Sequence, residues 1–214
     1  MSKTIKKAIT FSVIILLIII VVISSFFIIR NLKNKAKIDN VIEIYSDDNV
    51  QDRIDNEDNI LHDDIMLQID GETVLGVIEI DKIAFKGLIY QGTSLETLAK
   101  GVGHFENSPY LDGNVCLAAH NTNQYWAKLK NLKNGDKITY VSFLGTKDYE
   151  VCNIQKISET DWSLLENTDE NMLTLITCVK GVPSQRLCVQ ALEVKWFFFT
   201  WALSKIFLRC YHIY

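Results

Sequence analysis

Residues 8 to 29, AITFSVIILLIIIVVISSFFII, run for 22 positions without a charge. A helix rises about 1.5 Å per residue, so this run would be about 33 Å long, enough to cross a hydrocarbon core of roughly 30 Å. A cleaved signal peptide would carry a shorter apolar core, roughly 7–15 residues, ahead of a small-residue cleavage site. The run therefore predicts a retained membrane anchor. Lys3, Lys6 and Lys7 precede it, and Arg30, Lys33, Lys35 and Lys37 follow it. Positive charge thus leaves its direction open, and the short N-terminal tail favours residues 1–7 on the cytoplasmic side.

From Gly71 the pattern changes to short alternating or β-branched runs separated by turn residues. VLGVIEI (74–80), IAFKGLIY (83–90), NVCLAAH (114–120), KITYVSF (137–143), KDYEVCNIQKI (147–157), MLTLITC (172–178) and RLCVQALEV (186–194) all read as strands. TSLETLAKG predicts a short helix with a capping box of Thr93 and Glu96, ended by Gly101. TDWSLLEN predicts another, capped by Thr160 or Asp161. LGT closes a hairpin between two of the strands, and VKGVPSQ reads as a loop. Seven or eight short strands with brief helices predict a mainly β fold, a closed or nearly closed barrel over 71–194, long enough to bury its own core.

Charge divides the rest of the chain. Residues 38–70 hold eleven Asp and Glu against one basic residue, Arg53. With so little apolar surface, 30–70 reads as a basic and then acidic stalk, solvated or loosely helical. The barrel segment has no basic stripe interleaved with aromatics, which argues against nucleic acid as a partner. Residues 195–214, KWFFFTWALSKIFLRCYHIY, combine aromatic and basic residues and read as an interfacial helix or a poor second span.

The chemistry turns on five cysteines and four histidines. Cys116, Cys152 and Cys188 lie inside strands, where a thiol behaves as a small buried hydrophobe. Cys210 belongs to the tail. Cys178 differs, because it stands where a core strand opens onto a Gly/Pro loop, a place from which a rigid scaffold presents reactive groups. A thiolate nucleophile needs a partner that lowers its pKa or takes its proton. His62 lies in the stalk, His212 in the tail and His104 in a Gly-rich turn. His120 ends its own core strand and matches the setting of Cys178. Leu187, Val189 and Ala191 alternate on one face, so Arg186 and Gln190 point away from the core. Arg186 is thereby a candidate to bind a carbonyl or an oxyanion, with a solvated surface arginine as the alternative.

LAAHN (117–121), TLITC (174–178) and Arg186 at the start of the last strand resemble the sortase family of Gram-positive bacteria. GVIEI, YQGTSLETLAKGVGHFENSP and LKNGDKITY resemble it too, so the likeness runs across 74–194. The histidine stands 58 residues before the cysteine and the arginine eight after it. The resemblance implies an eight-stranded sortase β-barrel on the outer membrane face, acting as a cysteine transpeptidase on surface proteins that bear an LPxTG-like sorting signal. Cys178 would attack the Thr–Gly carbonyl and form a thioester. His120 would protonate the departing amine and then deprotonate the incoming amine of a cell-wall precursor or crossbridge. Arg186 and the backbone N–H of Val179 would stabilise the oxyanion, with Thr177 and Asn121 supporting the site. No cofactor and no metal are implied. The chain departs from the family in Ala119 before the histidine, and it lacks the lid of pilin-polymerising members. Its compact barrel looks most like the class D, clostridial-type sortases. The same Cys–His pair would also serve a peptidase that gives the thioester to water. An inert Cys178 would leave a membrane-tethered binding module.

Overall fold

The computed structural model describes residues 3–47, with side chains from Phe11 onward, and residues 66–194. The acidic stretch 48–65 and the tail 195–214, with His62, Cys210 and His212, lie outside the described residues. The chain opens with one long helix, α1 (Lys3–Tyr45). Nine strands follow: β1 (Leu67–Ile69), β2 (Glu72–Ile80), β3 (Phe85–Gln91), β4 (Val102–His104), β5 (Asn114–Ala118), β6 (Lys137–Ser142), β7 (Gly145–Ser158), β8 (Met172–Val179) and β9 (Val182–Glu193).

Eight of the strands form the expected closed ring, in the order β2-β3-β4-β5-β8-β9-β7-β6, with β6 pairing back onto β2. Closure removes the unpaired edges that an open sheet would offer to other chains. It depends on close backbone approach at Gly76, where β2 shifts register against β3 and meets Ser142 of β6. A Cβ at Gly76 would lie 1.9 Å from the Val141 carbonyl oxygen, so no larger residue fits without moving the seam. Leu75, Val77, Ile78, Ile138, Tyr140, Phe143 and Tyr149, on and beside that seam, are all buried at 2% exposure or less.

The short helix α2 (Leu95–Lys100) is capped differently from the sequence expectation. Ser94 occupies the N-cap, its hydroxyl accepting from the Thr97 N–H at 3.1 Å. Glu96 instead pairs with Lys100 one turn on, at 3.1 Å. The N-cap of the turn Ser163–Leu165 is Trp162 rather than Thr160 or Asp161, and Asp161, one residue ahead, accepts from the Ser163 N–H and hydroxyl at 3.1 and 2.7 Å. Those two bonds favour its charged form and hold its carboxyl below the usual range. VKGVPSQ is not an open loop. Val179 pairs with Val182 around Lys180–Gly181, and the excess residues 183–185 are absorbed as a bulge before Arg186.

Residues 38–45 also differ from the expected solvated stalk. Ile38, Val41, Ile42 and Tyr45 recur at i, i+3, i+4 and i+7, one face of a helix, and that face packs on the barrel with Val41 and Tyr45 essentially inaccessible. Farther up α1, Asn31, Asn34 and Lys37 line a cavity with Phe85, Tyr90 and Tyr125, so the helix flanks the barrel from just beyond its apolar run. The acidic composition hid this stripe. Asp70–Gly71 also went unread: it is a two-residue turn with both φ positive that pairs the unexpected β1 with β2. Lys37 and Asp70 form an ion pair across this junction.

Tyr45 fastens helix, β1 and β2 together. Its hydroxyl donates to the Val74 carbonyl at 2.7 Å and accepts from the Leu67 N–H at 2.9 Å. Tyr45→Phe keeps the ring but strands both backbone groups. A loss of about 1–3 kcal/mol is expected, read as a lower urea midpoint with unchanged slope for the full chain in detergent.

Residues 11–29 project their side chains outward along α1, with Phe11, Leu16, Val22 and Phe26 all more than half exposed. This helix is long and apolar enough to cross a membrane.

Candidate active site

Three adjacent strands bring the candidate groups to one end of the barrel. β5 and β8 run parallel with Ala118 opposite Ile176, so the chain positions two residues on, His120 and Cys178, emerge side by side. β9 returns antiparallel with Arg186 opposite Cys178. Neighbouring strands lie about 4.8 Å apart, and directly paired residues present their side chains on the same face. His120, Cys178 and Arg186 consequently line a single cavity of about 330 Å³. Cys178 is exposed.

The residues between these groups fix their spacing. Thr177, 2% exposed, donates its hydroxyl to the Ala119 carbonyl at 2.7 Å, tying β8 to the peptide just before His120. Asn121 donates its side-chain amide to the Cys178 carbonyl at 2.5 Å. The His120 carbonyl accepts from the N–H groups of Thr122 and Trp126 at 2.9 and 3.0 Å, and Trp126 is fully buried. Both bonds from Thr177 and Asn121 cross between the cysteine and histidine segments.

Arg186 is held rather than waving in solvent. Its Nη1 donates to the carbonyls of Pro183 and Gln185 at 2.6 and 3.0 Å, and its Nη2 to Glu159 Oε2 at 3.1 Å. A guanidinium carries five N–H donors; Nε–H and one Nη2–H have no partner among the described residues. Glu159 has no motif around it in the sequence, and only the approach of the β7–β8 connection to β9 reveals it as the partner of Arg186.

Leu95 and Leu98 of α2, Phe105, Ile157, Trp162, Leu165 and Ile176 give the rest of the cavity an apolar wall. Leu95 and Trp162 leave 80% and 60% of their surface exposed at its edge, as apolar groups do where a partner is to be covered.

The remaining candidates separate cleanly. His104 is fully buried, bonds through Nε2 to the Pro109 carbonyl and the Ser108 hydroxyl, and stacks on Tyr110 with centroids 4.9 Å apart. Burial lowers its pKa and favours the neutral ring, so it is a packing histidine. Cys116, Cys152 and Cys188 are free thiols, with Cys116 and Cys188 buried. Desolvation pushes both of these up to about 12. Gln190 corrects the alternation read from the sequence. It is 8% exposed, its Oε1 accepting from Asn153 at 3.0 Å, because β9 is covered on both faces at this level. Val179 is the last residue of β8, directly after Cys178. Among the described residues no group of His, Cys, Asp and Glu is arranged to hold a metal ion.

The family model for the sortase domain matches residues 78–194. Sortase D of Bacillus subtilis is 30% identical over 106 residues, covering 48% of this chain and 53% of that protein. Sortase A of Listeria monocytogenes is 27% identical over 130 residues, 59% of each. The chain thus spans between half and three-fifths of these curated relatives. Among solved structures, sortase C1 of Streptococcus suis is 30% identical with a TM-score of 0.54, covering 58% of this chain and 75% of that one. The Sortase D5 transpeptidase of Clostridium perfringens shares the fold at 24% identity, with a TM-score of 0.60 over 76% of this chain and 98% of that one.

Proposed function

The chain belongs to the sortase family, and on that premise we propose that it is a membrane-anchored cysteine transpeptidase. In this reading it cleaves an LPxTG-like sorting signal between Thr and Gly and transfers the protein to an amine of the cell wall. The observation that carries the reading is the convergence of Cys178, His120 and Arg186, from three neighbouring strands, on one cavity with an apolar wall. α1 anchors the enzyme through residues 8–29, residues 1–7 stay inside, and the barrel faces the outside. The compact barrel and its likeness to class D members favour that subclass.

Each residue then has a task. The apolar wall takes the Leu-Pro part of the signal. The thiolate of Cys178 attacks the threonine carbonyl carbon, and the new negative charge on oxygen is met by the free N–H donors of Arg186 and the N–H of Val179. His120 delivers a proton to the glycine amine as the C–N bond breaks, leaving a thioester on Cys178. Glu159 and the Pro183 and Gln185 carbonyls hold the guanidinium in place, so little order is lost when substrate arrives. Thr177 and Asn121 keep the thiol and imidazole at a fixed separation.

The test is cleavage of a fluorogenic LPxTG-type peptide panel by the full chain in detergent, with and without triglycine. The expected result is scission between Thr and Gly, diverted by triglycine into a ligated product. Release of acid alone, whatever amine is offered, would instead make the protein a cysteine peptidase. No thiol-dependent cleavage of any peptide would leave the binding module.

A further inference from the structure

Cys178 borders a second cavity, of about 400 Å³, and it is the only residue common to the linings of the two. The chemistry of this second cleft is different. Lys128 and Lys130 reach it from the segment after His120, Lys156 from β7 and Lys180 from the turn after the nucleophile. Asn121, Asn123 and Asn131 supply amides, and no carboxylate among the described residues lines it. None of these four lysines forms an ion pair among the described residues, a state they share with Lys82 and Lys133, which stand outside the cleft. Four cations around one hollow, with no acidic partner among the described residues, repel one another unless an anion sits between them.

A transpeptidase needs two substrates at one sulfur. The acyl part of the donor fills the first cavity while the acceptor must still reach the thioester carbonyl. We propose that the lysine-lined cleft is the acceptor subsite and that it selects amines carried on an anionic molecule. The proposal rests on the transpeptidase reading above and names its acceptor class. The neutral amine nitrogen attacks the thioester carbonyl, a C–N bond forms, the C–S bond breaks, and Cys178 leaves as thiolate. The surplus proton on nitrogen passes to His120. The lysines take no part in bond making; they raise the local concentration of an acceptor whose carboxylate or phosphate lies close to its amine, and they orient it.

The experiment uses the full chain in phosphatidylcholine nanodiscs, a cleavable donor peptide and matched acceptors. Triglycine is offered against triglycinamide, and 2-aminoethyl phosphate against ethanolamine. The readout is the ratio of ligated to hydrolysed product within each enzyme, so that changes in the first step cancel. At low salt the anionic member of a pair is expected to give a ratio roughly tenfold higher, falling towards parity in about 0.5 M salt as the charges are screened. The two pairs distinguish a carboxylate-bearing from a phosphate-bearing acceptor. Lys128→Glu/Lys156→Glu should erase or invert the preference, Lys128→Gln/Lys156→Gln should shrink it, and Lys82→Glu, outside the cleft, should leave it intact. Equal ratios for charged and neutral amines in the wild type would overturn the proposal, as would a preference that survives both double variants. Lysine variants that alter only the response to anionic lipid in the nanodisc would overturn it in favour of a headgroup contact. If donor cleavage proceeds but no amine is ever ligated, or no donor is cleaved at all, the transpeptidase reading itself fails and takes this inference with it.

Discussion

Cys178→Ala is expected to abolish cleavage of every donor peptide, a fall on the order of 10⁵-fold or more, since loss of the nucleophile removes the covalent route altogether. The other described thiols offer no substitute. Cys116 and Cys188 are buried with pKa values pushed up to about 12, and Cys152 is half-buried and also raised by desolvation. The sign follows from burial, which disfavours the thiolate, so none of these three acquires appreciable nucleophile near neutral pH. Iodoacetamide at pH 7.5 should therefore label Cys178 well before the other three, by peptide mass mapping, with loss of activity tracking that one modification. Full activity in Cys178→Ala, or inactivation that tracks Cys152, would refute its assignment as the nucleophile.

His120→Gln is expected to lower kcat/KM by roughly 10²–10⁴, the usual worth of a positioned acid and base. Both half-reactions should slow, because the same imidazole serves the departing and the arriving amine. The comparison residue is His104. Its ring is buried between Tyr110 and the Pro109 carbonyl, so His104→Gln should lower the melting temperature and leave the pH profile of the surviving enzyme unchanged. His120→Gln should do the reverse, slowing the chemistry at wild-type stability. Single-turnover acylation beside thermal melts separates the two. A His120→Gln enzyme that acylates at the wild-type rate would remove His120 from the chemistry.

Much of the site was legible because its elements are local. A charge-free run of 22 residues, β-branched strands ended by turns, and a cysteine and a histidine each at the end of its own strand are all properties of neighbouring residues. LAAHN and TLITC could be matched to a family for the same reason. Two local signals went unread. The Ile38, Val41, Ile42, Tyr45 stripe was masked by the acidic residues that face solvent between its members. Asp70–Gly71 marks a hairpin whose first strand, β1, is only three residues long.

The sequence alone thus determined that there is an apolar run long enough to cross a membrane, that a mainly β domain follows, and which thiol and which imidazole are candidates. Tertiary structure decided what those groups meet. The parallel register of β5 on β8 sets His120 beside Cys178 across 58 residues of intervening chain, and the β8–β9 register sets Arg186 opposite the thiol. Glu159 gains its partner, and Lys128, Lys130, Lys156 and Lys180 gain a common cavity, only when the barrel closes. The physical reason is the range of the forces involved. Propensity, capping and alternation act over a turn or a strand and are written in adjacent residues. Strand register and side-chain convergence are set by packing the whole interior at once, and no short stretch of the chain contains that information.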